Sequence, residues 1–303
     1  MTHGVLIVDK PQGPTSHDVV GRLRRILRTR AVGHAGTLDP LATGVLVIGV
    51  GEGTKLLQHL TGADKEYVTT VRLGEQTDSL DSQGKVIASQ AVPAGLTRER
   101  VEAVAGSFRG ALRQRVPEIS AVKVDGERLY ARARRGDVVE APERDVIVHE
   151  LEILRVELPE IELRVRSSKG FYVRSLGRDL ALALGTVGHL TALRRTHSGS
   201  FSVAEAAPGS LLQADPELAA PELRARMLPL TAALRDFPSC VLNEQGVIEV
   251  RHGRAVLAEH MSRCDLFVPG QLPVALIDEQ GALRALGRAE EGRVVVIRGM
   301  SQA

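Results

Sequence analysis

Two neighbouring stretches, "VIVHELEILRVEL" (146–158) and "IELRVRSSKG" (161–170), alternate apolar and polar residues with a period of two. That alternation belongs to antiparallel strands with one face on a core and the other in water. "KEYVTTVRLG" (65–74) alternates in the same way, whereas "VLIVDK" (5–10) and "VLVIGV" (45–50) are apolar throughout, as buried strands are. Helical segments lie between them. Ser16 is placed to cap a helix with Val19, Val20, Leu23, Ile26 and Leu27 on one face and arginines on the other. Thr97 opens a second helix (97–108), and "FYVRSLGRDLALALG" (171–185) reads as a third that stops at Gly185. Strands and helices are interspersed, but the clean alternation favours an α+β fold with a mainly antiparallel central sheet over a doubly wound parallel one.

A chain of 303 residues exceeds what one compact core usually takes, so two domains are expected. Residues 204–234 are rich in Ala, Pro, Glu and Leu and read as a helical connector with breaks. From Phe237 onward, short β-type runs alternate with turns, predicting a small, separate, mostly β domain of about 65 residues. Residues 119–139 read as a strand, a turn and a short basic helix. No apolar run approaches the roughly 18 residues that span a bilayer. Cys240 and Cys264 are the only cysteines, which excludes a disulfide framework or a Cys-rich zinc site and makes a reduced cytoplasmic setting the default expectation.

The formal net charge is only +2, but its distribution is uneven. Between Val19 and Leu38 stand Arg22, Arg24, Arg25, Arg28 and Arg30 with no acid. Arg128, Arg132, Arg134 and Arg135 form a second cluster, edged by Glu127 and Asp137. Such density suits phosphate contacts and equally suits a solvated helix face.

"GHAGTLDPLATG" (33–44) sets one carboxylate, Asp39, among glycines, threonines and small apolar residues. Its three glycines and Pro40 predict a shaped loop presenting a carboxylate, with neither helix nor strand. "GVGEGTK" (49–55) fails as a phosphate loop, because Gly53 is followed by Thr54 and only then by Lys55. "TDSLDSQG" (77–84) lacks calcium-loop spacing, His189 and His197 lack a metal-ligand spacing, and no G-x-S-x-G elbow is present. Of three tyrosines, Tyr172 stands two residues before Arg174. Extended backbone there puts ring and guanidinium on one face; a helix start separates them.

Taken together, "GVLIVDKPQGPTSHDVV", "GHAGTLDPLATGVLVIGVGEGTKL", "KEYVTTVRLGEQTDSLDSQG", "SAVKVDGERLYARARRG" and "KGFYVRSLGRDL…LGTVGHLTALRRTHSGSF" resemble bacterial tRNA pseudouridine synthases of the TruB type. The match is strong over residues 4–204 and weaker beyond, where the β pattern and "RHGRAV" are similar to a PUA RNA-binding domain. The resemblance implies a pseudouridine-synthase fold over 1–235, with an RNA-clamping thumb-like insert near 115–139, and a β-rich PUA-like domain over 236–303. It implies isomerisation of the T-loop uridine at tRNA position 55, with Asp39 as nucleophile, Arg174 as its partner and Tyr67 against the target base. An arginine beside the carboxylate would favour its charged form.

Lys10, His34, Asp81, Tyr172 and Leu193 fall on substrate-pocket positions of that family, Asp81 close to the catalytic arginine and Lys10 with a mainly structural role. Arg22, Arg25, Arg128, Arg132 and Arg135 are assigned to the RNA backbone. Metal and cofactor are not implied; the expected partner is the tRNA T-arm, with no membrane and no obligate protein partner. Glu118 and Ile119 depart from the family's usual apolar and aromatic pair in the thumb. Two other readings stand beside this one: a non-catalytic RNA-binding or RNA-folding protein, and a pseudouridine synthase on another RNA.

Overall fold

A computed structural model describes residues 3–120, 122–124, 126–129, 135, 141–265 and 273–301. The strands of the first sheet and its outlying hairpins run β1 (Gly4–Lys10), β2 (Val32–Ala35), β3 (Thr43–Val50), β4 (Lys65–Leu73), β5 (Glu75–Thr77), β6 (Val86–Ser89), β7 (Gly110–Arg115), β8 (Lys123–Val124), β9 (Glu127–Arg128), β10 (Glu143–Glu157), β11 (Glu160–Ser167), β12 (Gly188–Ser198) and β13 (Phe201–Ser202). Nine of these build one sheet in the order β1-β3-β12-β4-β11-β10-β7, with β2 beside β3 and β13 beside β12. Every pairing in it is antiparallel except β12 with β3, where Arg194 and Arg195 lie beside Thr43 and Gly44.

A second sheet holds β14 (Ser239–Leu242), β15 (Val256–Leu257), β16 (Met261–Cys264), β17 (Pro273–Asp278), β18 (Leu283–Glu290) and β19 (Arg293–Gly299). One helix, Glu244–Arg251, packs with it, and the sequence did not announce it. The two cysteines, too few for a disulfide framework, nevertheless meet in this sheet. Cys240 and Cys264 face each other directly in the antiparallel register of β14 and β16, and their sulfurs are bonded.

The apolar runs of β1 and β3 are explained by burial on both faces. Leu6, Val8, Leu46 and Ile48 pack under the helices Ser16–Ile26 and Val173–Ala183. Val5, Ile7, Val45 and Val47 face the other way, into a cluster that also holds Phe201, Leu234, Ala275, Leu283 and Leu286. Three of those residues belong to the second sheet, so the two sheets share an apolar core. The second sheet also keeps a core of its own, built on Leu242, Val250, Val274, Leu276 and Val294, so the β-rich segment has both a separate core and a shared apolar contact with β1 and β3.

Helix Ser16–Ile26 buries Val19, Val20, Leu23 and Ile26 on one stripe. Its cap is Thr15 rather than Ser16: Thr15 Oγ1 accepts from Asp18 N at 3.1 Å, and Asp18 Oδ2 accepts from Thr15 N at 2.8 Å. This reciprocal pair satisfies two of the helix's orphan donors. Ser16 is thereby released for a different contact, described below. Helix Val173–Ala183 begins after Tyr172, whose backbone is extended, and ends before Gly185, whose φ is +83°.

Candidate active site

The stretch expected to be all loop is instead a hairpin. Gly33, His34 and Ala35 pair with β3 as part of β2, and only the residues from Gly36 to Ala42 leave the sheet. Gly36 takes φ +82° to start the excursion, and Gly44 takes φ +100° where β3 resumes. Three side chains tie this excursion down. Ser16 Oγ donates to Leu38 O at 3.1 Å and accepts from Leu38 N at 2.8 Å. Lys10 Nζ donates to Ala42 O at 2.7 Å and Pro11 O at 3.0 Å. Arg195 Nη2 donates to Gly36 O at 3.0 Å while its Nε holds Val45 O at 2.7 Å. Within the loop, Ala42 N closes a turn onto Asp39 O at 3.0 Å.

Asp39 stands at the crown of this clamped loop with its side chain 35% exposed, and Arg174 Nε lies 2.9 Å from Oδ2. The Nε–H is turned off the carboxylate and makes no hydrogen bond, so the two meet as charges rather than through a linear bond. Arg174 is itself buried. Its Nη1 donates to Ser79 O at 2.7 Å and lies 3.9 Å from Asp81 Oδ2. Asp81 in turn accepts from Ser79 Oγ at 2.7 Å and Gln83 N at 3.0 Å. A guanidinium carried into the interior thus has one acid behind it and one in front.

Both acids flank a cleft of about 990 Å³, though only Asp39 lines it, together with Lys65, Tyr67, Ser167, Tyr172, Arg174, Leu193 and Arg195. The floor is one face of the central sheet. Tyr67 lies opposite Val165 on β11 and opposite Arg195 on β12, and Lys65 lies opposite Ser167. Tyr172 is held at its backbone by Gln114, whose Oε1 accepts from Tyr172 N at 2.8 Å and whose Nε2 donates to Tyr172 O at 3.1 Å. Burial pushes the Tyr172 phenol up from its usual pKa, keeping it protonated at neutral pH.

The cleft therefore gathers Asp39, Tyr67, Tyr172, Arg174 and Leu193, and leaves three other expected pocket residues outside its lining. Lys10 is fully buried and donates to backbone carbonyls beneath the loop, which agrees with its expected structural role and leaves it outside the lining of the pocket. Asp81 is 5% exposed and faces Arg174 rather than the cleft, for the reason just given. His34 sits on β2, half-buried, with Nδ1 partnerless and its pKa lowered by burial and then by Arg195, so the ring stays neutral. Of the arginines assigned to RNA backbone, Arg22 is committed through Nε to Leu212 O at 2.5 Å. Arg25 is exposed on its helix. Arg135 pairs with Glu127, Nη2 to Oε2 at 2.8 Å. Arg132 and the side chain of Arg128 lie outside the described residues.

Comparison with known proteins decides among the readings of such a cleft. Residues 24–173 match the TruB family pseudouridylate synthase N-terminal domain, and residues 174–235 match the tRNA pseudouridylate synthase B C-terminal domain. A protein named tRNA pseudouridine synthase B from Arthrobacter sp. (strain FB24) is 40% identical over 94% of this chain and 92% of its own length. The chain belongs to the TruB family. It is a pseudouridine synthase, an isomerase; proteins named tRNA pseudouridine synthase B from Corynebacterium glutamicum (strain R) and Thermobifida fusca (strain YX) are each 42% identical over 92% of this chain, covering 93% and 96% of their own lengths.

Among solved structures, an H/ACA RNP bound to a substrate RNA containing 2'-deoxyuridine includes a chain with TM-score 0.76 and 26% identity, covering 99% of this chain and 85% of that one. A Cbf5-Nop10-Gar1 complex gives TM-score 0.76 at 27% identity, with 98% and 84% covered. The structure also shows residues that sequence reasoning passed over. In this TruB chain, Lys65 and Arg195 line the cleft, while Ser16, Ser79 and Gln114 hydrogen-bond to Leu38, Arg174 and Tyr172, which line it. A signal was present for Lys65, which is in phase with Tyr67, Thr69, Val71 and Leu73 on the inward face of β4. A charge on a buried phase of a strand is out of place unless it has work to do.

Proposed function

We propose that this TruB-family chain converts the T-loop uridine at position 55 of tRNA to pseudouridine, with Asp39 as the nucleophile. The observation that carries the reading is a part-exposed carboxylate on a clamped loop, 2.9 Å from a buried guanidinium, in a cleft that Tyr67 and Leu193 also line. A carboxylate can add to the nucleoside and leave again at neutral pH, and no cofactor is needed because the reaction is redox-neutral. The bond between C1' and N1 breaks, the base turns and C1' joins C5; Asp39 is released, the C5 proton departs and N1 ends protonated, so the product is an isomer of the substrate.

On this reading Tyr67, which lines the cleft, packs against the extruded base and serves in proton transfer. Unstacking that base costs a few kcal/mol, which the aromatic floor and the Leu193 wall offset. Tyr172 stays a phenol and hydrogen-bonds as a neutral group. The Arg174 guanidinium, anchored from behind by Ser79 O and Asp81, holds the charge of Asp39 without taking up its lone pairs in a linear bond.

tRNA is favoured over guide-directed RNA because the 40–42% identities are to proteins named for tRNA, against 26–27% for the chains from H/ACA assemblies. The second sheet is read as a PUA-like RNA-binding module over 236–303, the insert near 115–139 as an RNA-gripping thumb, and the protein as cytoplasmic and active without an obligate protein partner. Among the described residues no helix is long and apolar enough to cross a membrane.

The test is tritium release from carbon-5-labelled uridine in a T-arm stem-loop, with the modified position mapped. Asp39→Asn should abolish release while binding the stem-loop within about twofold of wild type, because Asp81 remains behind Arg174 to balance its charge. Release by the Asn variant, or modification elsewhere than the T-loop uridine, overturns the reading.

A further inference from the structure

Two cations on the cleft floor make no ion pair among the described residues, and the neighbouring Asp64 acts on Lys65 only through space. Arg195 is 1% exposed and Lys65 is 7% exposed, and no described carboxylate lies within ion-pair distance of either. Burying an ammonium or guanidinium without a counter-charge costs several kcal/mol, so two together need a reason. Backbone carbonyls supply part of one: Lys65 Nζ donates to Thr61 O at 2.6 Å and to Ala63 O, and Arg195 Nε and Nη2 hold Val45 O and Gly36 O.

Each cation still keeps donors over. Lys65 has a third hydrogen, and no described residue accepts from Arg195 Nη1. The two side chains converge beneath Gly36: a Cβ there would stand 3.5 Å from Arg195 Nη1 and 3.9 Å from Lys65 Cε. Directly across the β4–β11 register from Lys65 sits Ser167, fully buried, with an Oγ that has no hydrogen-bond partner. All three residues line the cleft; of the acids that line it with them, Asp39 is taken up by Arg174 and Glu143 by Arg113, and neither Glu143 nor Asp145 pairs with Lys65 or Arg195.

Resting on the functional reading above, we propose that Lys65 Nζ, Arg195 Nη1 and Ser167 Oγ form a phosphate subsite that takes the RNA backbone phosphate flanking the extruded uridine. Ammonium, guanidinium and hydroxyl donors converging on one oxyanion are what a phosphate monoanion satisfies and a neutral base does not. Burial has already drawn the Lys65 ammonium down to about 8, so an incoming anion also restores the charge it is close to losing. The subsite ties the backbone beneath the loop that carries Asp39, which fixes the nucleotide while its base turns.

The experiment measures equilibrium binding of the Asp39→Asn protein to T-arm stem-loops carrying one neutral methylphosphonate at each successive position around the target uridine. One linkage beside the uridine should cost at least tenfold in affinity, and the others less than threefold. In the Asp39→Asn/Lys65→Met protein that same linkage should cost less than threefold, and Lys65→Arg in place of Lys65→Met should restore most of the loss. A flat scan in the Asp39→Asn protein overturns the subsite without any further substitution, which keeps the test intact if Lys65→Met does not fold. Equal sensitivity with and without Lys65 also overturns it. Either failure alongside normal tritium release by wild type leaves the functional reading standing, whereas no release at all removes that reading first.

Discussion

Gly44→Ala isolates the contact on which the placement of Asp39 depends. Gly44 is the first β3 residue paired with β1, and its φ of +100° lies where a side chain is strained. A Cβ added there would stand 2.1 Å from Arg195 O and 2.9 Å from Arg195 C and N. Those atoms are backbone, so no rotamer change relieves the overlap, and the only parallel pairing of the first sheet, β3 with β12, must open. The left-handed backbone costs about 1–2 kcal/mol and the overlap about 1–3 kcal/mol more.

Gly13→Ala supplies the control. Gly13 has φ +109° but nothing within 4 Å of an added Cβ, so it carries the conformational cost alone. Both replacements shrink the unfolded ensemble alike, so that contribution cancels. At roughly 2 °C per kcal/mol for a chain of this size, Gly13→Ala should lower Tm by roughly 2–4 °C and Gly44→Ala by roughly 4–10 °C. Calorimetry gives the two Tm values, and tritium release well below both gives the chemistry. There Gly44→Ala should lower kcat by about a hundredfold, since a shift of about 1 Å in the nucleophile costs that much, and Gly13→Ala should leave it nearly unchanged. Equal Tm losses for the two variants would refute the reasoning, because the approach of Arg195 would then carry no weight.

The remaining predictions concern charge. Arg174→Lys should reduce kcat by about a hundredfold or more with little change in KM for the stem-loop, because an ammonium cannot reach Asp39, Ser79 O and Asp81 at once; unaltered kcat would show that the guanidinium's shape is not used. Lys10 and Lys65 are each drawn from 10.5 to about 8 by burial. The unfolded chain therefore binds more protons than the folded one between pH 8 and 10.5, and folding stability should rise with pH across that window by on the order of 3 kcal/mol per lysine. Urea midpoints of wild type and Lys10→Met from pH 7 to 10 check it: the variant should show about half the pH-dependent gain, and parallel curves would exclude Lys10 as a source.

Local pattern carried much of the fold. The apolar stripe of Val19, Val20, Leu23 and Ile26, the alternation through β10 and β11, and the stop at Gly185 follow from side-chain periodicity and backbone freedom, which act within a few residues. Asp39 was conspicuous because a lone acid among glycines has no local purpose. Lys10, Ser16 and Arg195 were opaque for the opposite reason. What each does is settled by contact with a loop 22 to 159 positions away, through pairings such as β3 with β12 that no periodicity encodes. Ser16 shows the trap: serine before an amphipathic run fits a helix cap, yet Thr15 one residue earlier caps better, and the serine latches the active loop instead.

The strand pair β1–β3 is walled by apolar side chains on both sides, and the second sheet supplies part of one wall. A linker that let the two modules swing would have to peel that wall open into water. On the function proposed above, an RNA reaching both modules would meet two surfaces whose separation can change only by uncovering Ala275, Leu283 and Leu286.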